Sequence, residues 1–242
     1  MSGHSKWSTI KRQKGVADAK RGAVFTKIGN MIAISARGGA DPTMNSALAM
    51  AIEKAKAANM PAANIQRAID RVTDKSAAAL EEVVYEGYGP GGVGIIVETA
   101  TDNRNRTFPE VRSAFTKHGG TMAEPGSVSF QFTRKGVIRV EIGEKSADDV
   151  LLEVLDAGAE DASEEDGEIV VYTDMKDLHR VRSALIEENL KIADAALEYV
   201  ANAPVEISDP IVAGKVMNLL GAIDDLDDVT AVHTNADITA DI

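Results

Sequence analysis

The sequence predicts an α+β fold in three domains, and three observations carry that prediction. Apolar residues recur at helical spacing through the first 75 positions. Gly, Val and Tyr rise after position 80, together with period-two patterns and buried runs. The segment 134–206 then holds a complete order of strand, helix, strand, strand, helix, strand, and leaves a helix and a strand behind it without partners. That order belongs to a ferredoxin-like layer. The expected architecture is an all-helical domain at 1–79 and a discontinuous ferredoxin-like α+β domain made of 80–133 and 207–242. An inserted ferredoxin-like α+β domain occupies 134–206.

Taken in order, Phe25, Ile28 and Ile32 mark a first helix that ends at Gly38-Gly39. Leu48, Ala51, Ile52 and Ala55 form a second stripe. Ile65, Ala68, Ile69 and Val72 form a third, with Pro61 suited to a first helical position. Ser76–Ala79 reads as a small-residue linker. Val83–Tyr88 and the buried run Val93–Thr99 are expected strands joined by Gly89-Pro90-Gly91-Gly92. Thr107 and Glu110 make a capping box, with Pro109 in the first turn, for a helix that ends at Gly119-Gly120. Ser127–Phe132 alternates as a strand. The inserted set follows: strand Gly136–Ile142, helix Asp148–Ala157, strands Ala159–Ala162 and Glu168–Thr173, a helix marked by Leu178, Val181 and Leu185, and extended Ala195–Tyr199 and Val205–Ile207. Asp209-Pro210 caps a helix at Ile211–Leu226, and Val229–His233 is a last strand.

Charge divides the chain. Residues 1–75 carry 13 Lys/Arg against 5 Asp/Glu, whereas residues 76–242 carry 13 against 33, giving +8 and −20 within a net charge of −12. Such asymmetry points to an N-terminal module for a polyanion and a body that resists indiscriminate binding. The first thirty residues concentrate Lys6, Lys11, Arg12, Lys14, Lys20, Arg21 and Lys27 against the single acid Asp18. Cations at this density place several charges within one phosphate-backbone footprint. Trp7, the sole tryptophan, either packs as core or stacks on a base. Lys54, Lys56, Arg67 and Arg71 lie off the apolar stripes, either extending the basic face or forming an ordinary solvated helix surface.

Cysteine is absent, which excludes disulfides, thiolate zinc sites, iron–sulfur clusters and thiol catalysis. No signal peptide is read, and Val93–Val97 is far too short to span a bilayer, so a cytoplasmic protein is expected. His4, His118, His179 and His233 are widely separated and lack ligand spacing, so no metal and no cofactor is expected. No Ser–His–Asp elbow, Walker loop or positioned carboxylate pair is found, which argues against an enzyme.

Gly87–Gly92 fits G-x-G-x-x-G, yet a strand rather than a helix follows it and Pro90 removes an amide donor. A hairpin turn is the better reading. In Asp102–Arg106, Arg104 and Arg106 either offer planar forks to phosphate, or the segment is turn chemistry with Asn and Asp bonding their own backbone.

The chain resembles the YebC/PmpR family, related to the mitochondrial translational activator of cytochrome oxidase, over nearly its whole length. The resemblance rests on GHSKW at 3–7, DAKRG at 18–22, FTK at 25–27, NMP at 59–61 and IQRAI at 65–69. It continues through YEGYGPGG at 85–92, TDNRNRT at 101–107, GSVSF at 126–130 and LDDV at 226–229. Departures are Ser8-Thr9 in place of Ala-Asn, and Ala123-Glu124 where a glycine-containing turn is usual. The resemblance implies a helical domain and two α+β domains, the middle one split. It also implies a non-enzymatic, cytoplasmic DNA-binding transcriptional regulator, with ribosome-associated translation factors as the other described role. The expected contacts are Lys6, Trp7, Lys11, Arg12, Lys14, Lys20, Arg21 and Lys27, with Arg104 and Arg106. The expected partner is DNA, or alternatively ribosomal RNA. A small-ligand sensor is a third reading and would require an apolar pocket with convergent polar groups.

Overall fold

A computed structural model describes residues 21–72, 79–165 and 167–240. It has mixed helix and sheet, with a helical N-terminal region followed by three sheets. Helices α1 (Arg21–Ser35), α2 (Ser46–Ala57) and α3 (Ala62–Asp70) bury Ile28, Ile32, Leu48, Ala55, Ile65 and Ile69 against one another. The Asn45 side chain caps α2 by accepting the Leu48 N–H at 3.1 Å, and its own amide donates to the carbonyls of Ser35 and Gly39. One polar residue thereby closes the α1–α2 corner.

Strands β1 (Glu81–Tyr88) and β2 (Gly94–Thr101) form an antiparallel hairpin. Its turn, Pro90–Gly92, places Gly91 and Gly92 at φ of 77° and 76°, a conformation natural to glycine. The glycine-rich motif is therefore a hairpin turn. At Gly87 the requirement is space: an added Cβ would lie 2.5 Å from the Phe115 ring and 2.8 Å from the Thr121 carbonyl.

Helix α4 (Arg104–Lys117) leads from β2 to β3 (Thr121–Ala123), which pairs with β1 on the side away from β2. The expected capping box at Thr107 is not the helix start. Asn103 takes the cap, its side chain accepting the Arg106 N–H at 3.2 Å, while the Thr107 hydroxyl turns inward and Pro109 lies inside the helix. The strand expected at Ser127–Phe132 is instead a 3₁₀ turn at Ser129–Gln131, after which β4 (Phe132–Glu141) begins.

Helix α5 (Ala147–Asp156), strands β5 (Asp161–Glu165) and β6 (Glu168–Thr173), helix α6 (Leu178–Glu187) and strand β7 (Lys191–Ala201) complete the second sheet. Its order is β5-β6-β4-β7, antiparallel throughout, as a ferredoxin-like layer requires. Val205–Ile207 (β8) does not join this sheet. It pairs in parallel with Ala236–Ile238 (β10), and Ile207 and Ile238 enter the core beneath the first sheet.

Helix α7 (Pro210–Asp224) is capped by Asp209, whose side chain accepts the Ile211 N–H at 2.7 Å. Strand β9 (Val229–Thr234) then returns to pair with β2, so the first sheet reads β3-β1-β2-β9. Its core joins Ile95, Val97, Phe115, Val216, Leu219 and Leu220. Where the two large sheets meet, Glu98 on β2 accepts from Arg134 on β4 at 3.3 Å and lies 2.7 Å from His233 Nε2 on β9. The Tyr199 ring stacks edge-on against His233 beneath the Arg134 guanidinium.

Candidate nucleic-acid interface

Lys6, Trp7, Lys11, Arg12, Lys14 and Lys20 lie outside the described residues. Arg21 is the first residue of α1, and its side chain is likewise outside the description. Lys27, Arg104 and Arg106 are placed, and each makes contacts within the protein.

Lys27 projects from α1 toward the C-terminal end of α7. Its ammonium donates to the Asp224 carbonyl and sits 3.8 Å from the Asp224 carboxylate. A cation at a helix C-terminus meets unsatisfied carbonyls and the negative end of the helix dipole. Lys27 thus anchors α1 where α1 packs on β2 and β9. Nearby, buried Asn30 donates to the Ala100 carbonyl at 3.4 Å and accepts from Arg71, which also reaches Asp102 at 3.2 Å. Helix α2 is tied to the second sheet. Met50 packs on its core, Lys54 lies 3.5 Å from Asp194, and Arg182 pairs with Glu53.

Arg106 donates through Nη2 to the Asp228 carboxylate, at 2.9 and 2.7 Å from its two oxygens, and to Asp102 at 3.2 Å. Asp228 further accepts from Thr107 at 2.5 Å and Thr101 at 3.1 Å, while its carbonyl accepts the Ala100 N–H at 2.8 Å. Burial alone would raise the Asp228 pKa. The hydrogen bonds from Thr107 and Arg106 outweigh burial and hold it below the ordinary carboxylate value. The TDNRNRT and LDDV segments therefore meet as one polar staple joining β2, α4 and the start of β9, and Arg71 links it to the helical region. Arg104 is exposed and pairs with exposed Glu81.

Sequence reasoning missed a second device. Glu86 is buried on β1, and its carboxylate accepts the N–H groups of Gly126, Val128 and Ser129 at 2.7, 2.6 and 2.8 Å. Burial again opposes ionisation, and three amide donors overcome it, leaving the pKa lowered. The clamp fixes the turn that carries Phe130, which is 72% exposed. Glu86, an acid set among the apolar and aromatic residues of Val83–Tyr88, was the available signal.

Of the helical region's described cations, Arg37, Lys56 and Arg67 are exposed and form no ion pair among the described residues. Also among the described residues, no group of His, Cys, Asp or Glu is arranged to hold a metal ion, and no helix is long and apolar enough to cross a membrane.

Comparison with known proteins covers both halves of this arrangement. Residues 5–75 match the family model described as the TACO1/YebC protein N-terminal domain, and residues 80–236 match the one described as the TACO1/YebC second and third domain. A protein of Moorella thermoacetica named probable transcriptional regulatory protein is 52% identical, the match covering 100% of this chain and 98% of the relative. One of the same name from Herpetosiphon aurantiacus is 50% identical, with 100% and 97% covered. The crystal structure of a conserved hypothetical protein, Aq1575, from Aquifex aeolicus superposes with a TM-score of 0.87 at 42% identity, covering 93% of each chain.

Proposed function

Because the chain belongs to the TACO1/YebC family, we propose that it is a transcriptional regulator, acting in the cytoplasm and without catalysis, that binds DNA through phosphate contacts of its basic N-terminal helical domain. The observation that carries this reading is the charge division: 13 cations against 5 acids over residues 1–75, on a body of 13 against 33. Relatives named probable transcriptional regulatory proteins support the regulatory part. In this reading Lys6, Lys11, Arg12, Lys14, Lys20 and Arg21 neutralise phosphates, with Trp7 packing or stacking beside them. Exposed Arg37, Lys56 and Arg67 extend the same field. Lys27 and Arg106 orient the elements that present it, through Asp224 and Asp228. The functional units are 1–79, 80–133 with 207–242, and 134–206.

The test is DNA binding by the full chain at low ionic strength, with a variant carrying Lys11→Glu, Arg12→Glu and Lys14→Glu. The variant is expected to lose most of its affinity and keep its fold by circular dichroism. Equal affinity in both proteins would overturn the reading.

A further inference from the structure

Strand β3 pairs with Glu86–Tyr88, so among the described residues no strand covers the outer edge of β1 from Glu81 to Tyr85. An open groove of about 330 Å³ lies there, between that edge and α4. Its floor is Val83 and Tyr85, and its other wall is Arg104, Asn105, Phe108 and Pro109. Phe108 is 44% exposed, and its ring stands 6.0 Å from that of Tyr85, tilted by 54°. An aromatic side chain left this exposed beside a second ring is one that no partner among the described residues has covered.

The charges around the ring are arranged in register. Arg104 and Arg112 lie one helical turn before and after Phe108, so Arg, Phe and Arg line one exposed stripe of α4. Arg112 forms no ion pair among the described residues. Arg104 holds exposed Glu81, a solvent-screened pair that exchanges readily for a phosphate. Glu110 falls off this stripe. The staple places Arg71 of the helical region against Asp102, so α3 with exposed Arg67 adjoins the N-terminal end of α4.

We infer that the β1–α4 groove is a stacking site for an unpaired nucleotide, whose base lies on Phe108 beside Tyr85 while Arg104 and Arg112 take the flanking phosphates. Sequence-tolerant stacking on an aromatic face, flanked by cations that follow the backbone, is the usual chemistry of single-strand binding. A duplex keeps its bases stacked on one another and has no face to offer the ring, so the groove selects for strands that are open or end nearby. The inference rests on the nucleic-acid reading above and extends it to a second contact on the body of the protein.

The experiment measures binding of the full chain to a labelled single-stranded RNA decamer, the corresponding DNA decamer, and the DNA duplex, at low ionic strength. Phe108→Leu keeps apolar volume over Tyr85 but removes the π-face, and Phe108→Trp restores one. Phe108→Leu is expected to weaken single-strand binding about tenfold and duplex binding less than twofold, with Phe108→Trp returning to the unsubstituted value. Preference for the RNA or the DNA decamer identifies the source of the nucleotide, and either supports the site. Unchanged single-strand affinity in Phe108→Leu overturns it, as does capture of an extended peptide rather than a nucleotide by a photo-crosslinker at position 108. If Phe108→Leu is silent while Lys11→Glu, Arg12→Glu and Lys14→Glu together abolish binding, the groove is refuted and the basic head stands. If the unsubstituted protein binds none of the three probes, both fall.

Discussion

Asp228 shows how one residue can organise a junction. Its carboxylate receives Arg106, Thr101 and Thr107 and the residue is 6% exposed, so replacing it with Ala leaves Arg106 with Asp102 alone and removes the shared buried acceptor of both threonine hydroxyls. The expected cost is about 2–4 kcal/mol in urea unfolding at neutral pH, because stranding the partners costs more than the bonds are worth on average. Arg106→Ala is expected to cost less. A double-mutant cycle should return a coupling energy of at least ~1 kcal/mol, and additivity would contradict the staple.

Acid sensitivity follows from the same kind of residue. Asp228, Asp194 and Glu86 all have folded-state pKa values below the ordinary ones. In each case burial opposes ionisation; it is outweighed at Glu86 by hydrogen bonds alone, and at Asp194 and Asp228 by hydrogen bonds and neighbouring cations. The unfolded chain, with Asp near about 3.9 and Glu near about 4.3, therefore binds more protons than the folded one in this range. The stabilisation is complete above those values and is lost as pH falls through the lowered folded ones. Stability should be flat in these groups from pH 5 to 7 and fall below about pH 4. Glu86→Gln should be less stable than the unsubstituted protein at pH 7, with the gap narrowing as pH falls below about 4, where residue 86 of the unfolded chain takes up its proton before that of the folded one.

At the scale of elements, β1 and α4 approach so closely that position 87 admits no side chain. Gly87→Ala must displace the Phe115 ring or the Thr121 backbone, and a loss of about 1–3 kcal/mol is expected by thermal or urea unfolding. A neutral result would mean that α4 slides freely on the strand. Elements such as β2 and α7 were legible because their signals are local: a continuous apolar run, and Asp-Pro ahead of an apolar helix. The mixed class, with a helical N-terminal region, was legible for the same reason. The start of α4 was misread because two caps compete within five residues, and the choice between them is made by Asp228, 121 residues from Thr107. The internal partners of Arg104 and Arg106 were not legible either, since nothing near them in sequence announces Glu81 or Asp228. Phe108 went unremarked because its exposure depends on how short β3 is.

At the scale of the whole molecule, a cationic head is set against an anionic body by ion pairs and hydrogen bonds at α1, α2 and α3. Those contacts use up some of the head's charge, so binding to a polyanion should depend on the remainder. If about six phosphates are neutralised, DNA affinity is expected to fall on the order of a thousandfold between 50 and 200 mM salt. A flat salt titration by fluorescence anisotropy would contradict the electrostatic reading. The acidic body should meanwhile keep the protein from coating duplex indiscriminately.

The late return of β9 to β2 bears on how the protein is made. During synthesis the hairpin is complete by Thr101, yet the strand that closes its far side arrives at Val229–Thr234. At ~5–20 residues per second, the nascent β2 edge waits roughly 6–25 s for its neighbour. Over that interval an apolar ribbon is open to pairing with other nascent chains. A chain ending at residue 226 is expected to accumulate in the insoluble fraction during expression, and co-expression of the missing C-terminal segment should recover part of it. The order in which the ribosome delivers its strands thus makes this protein a candidate client for a chaperone that shields sheet edges.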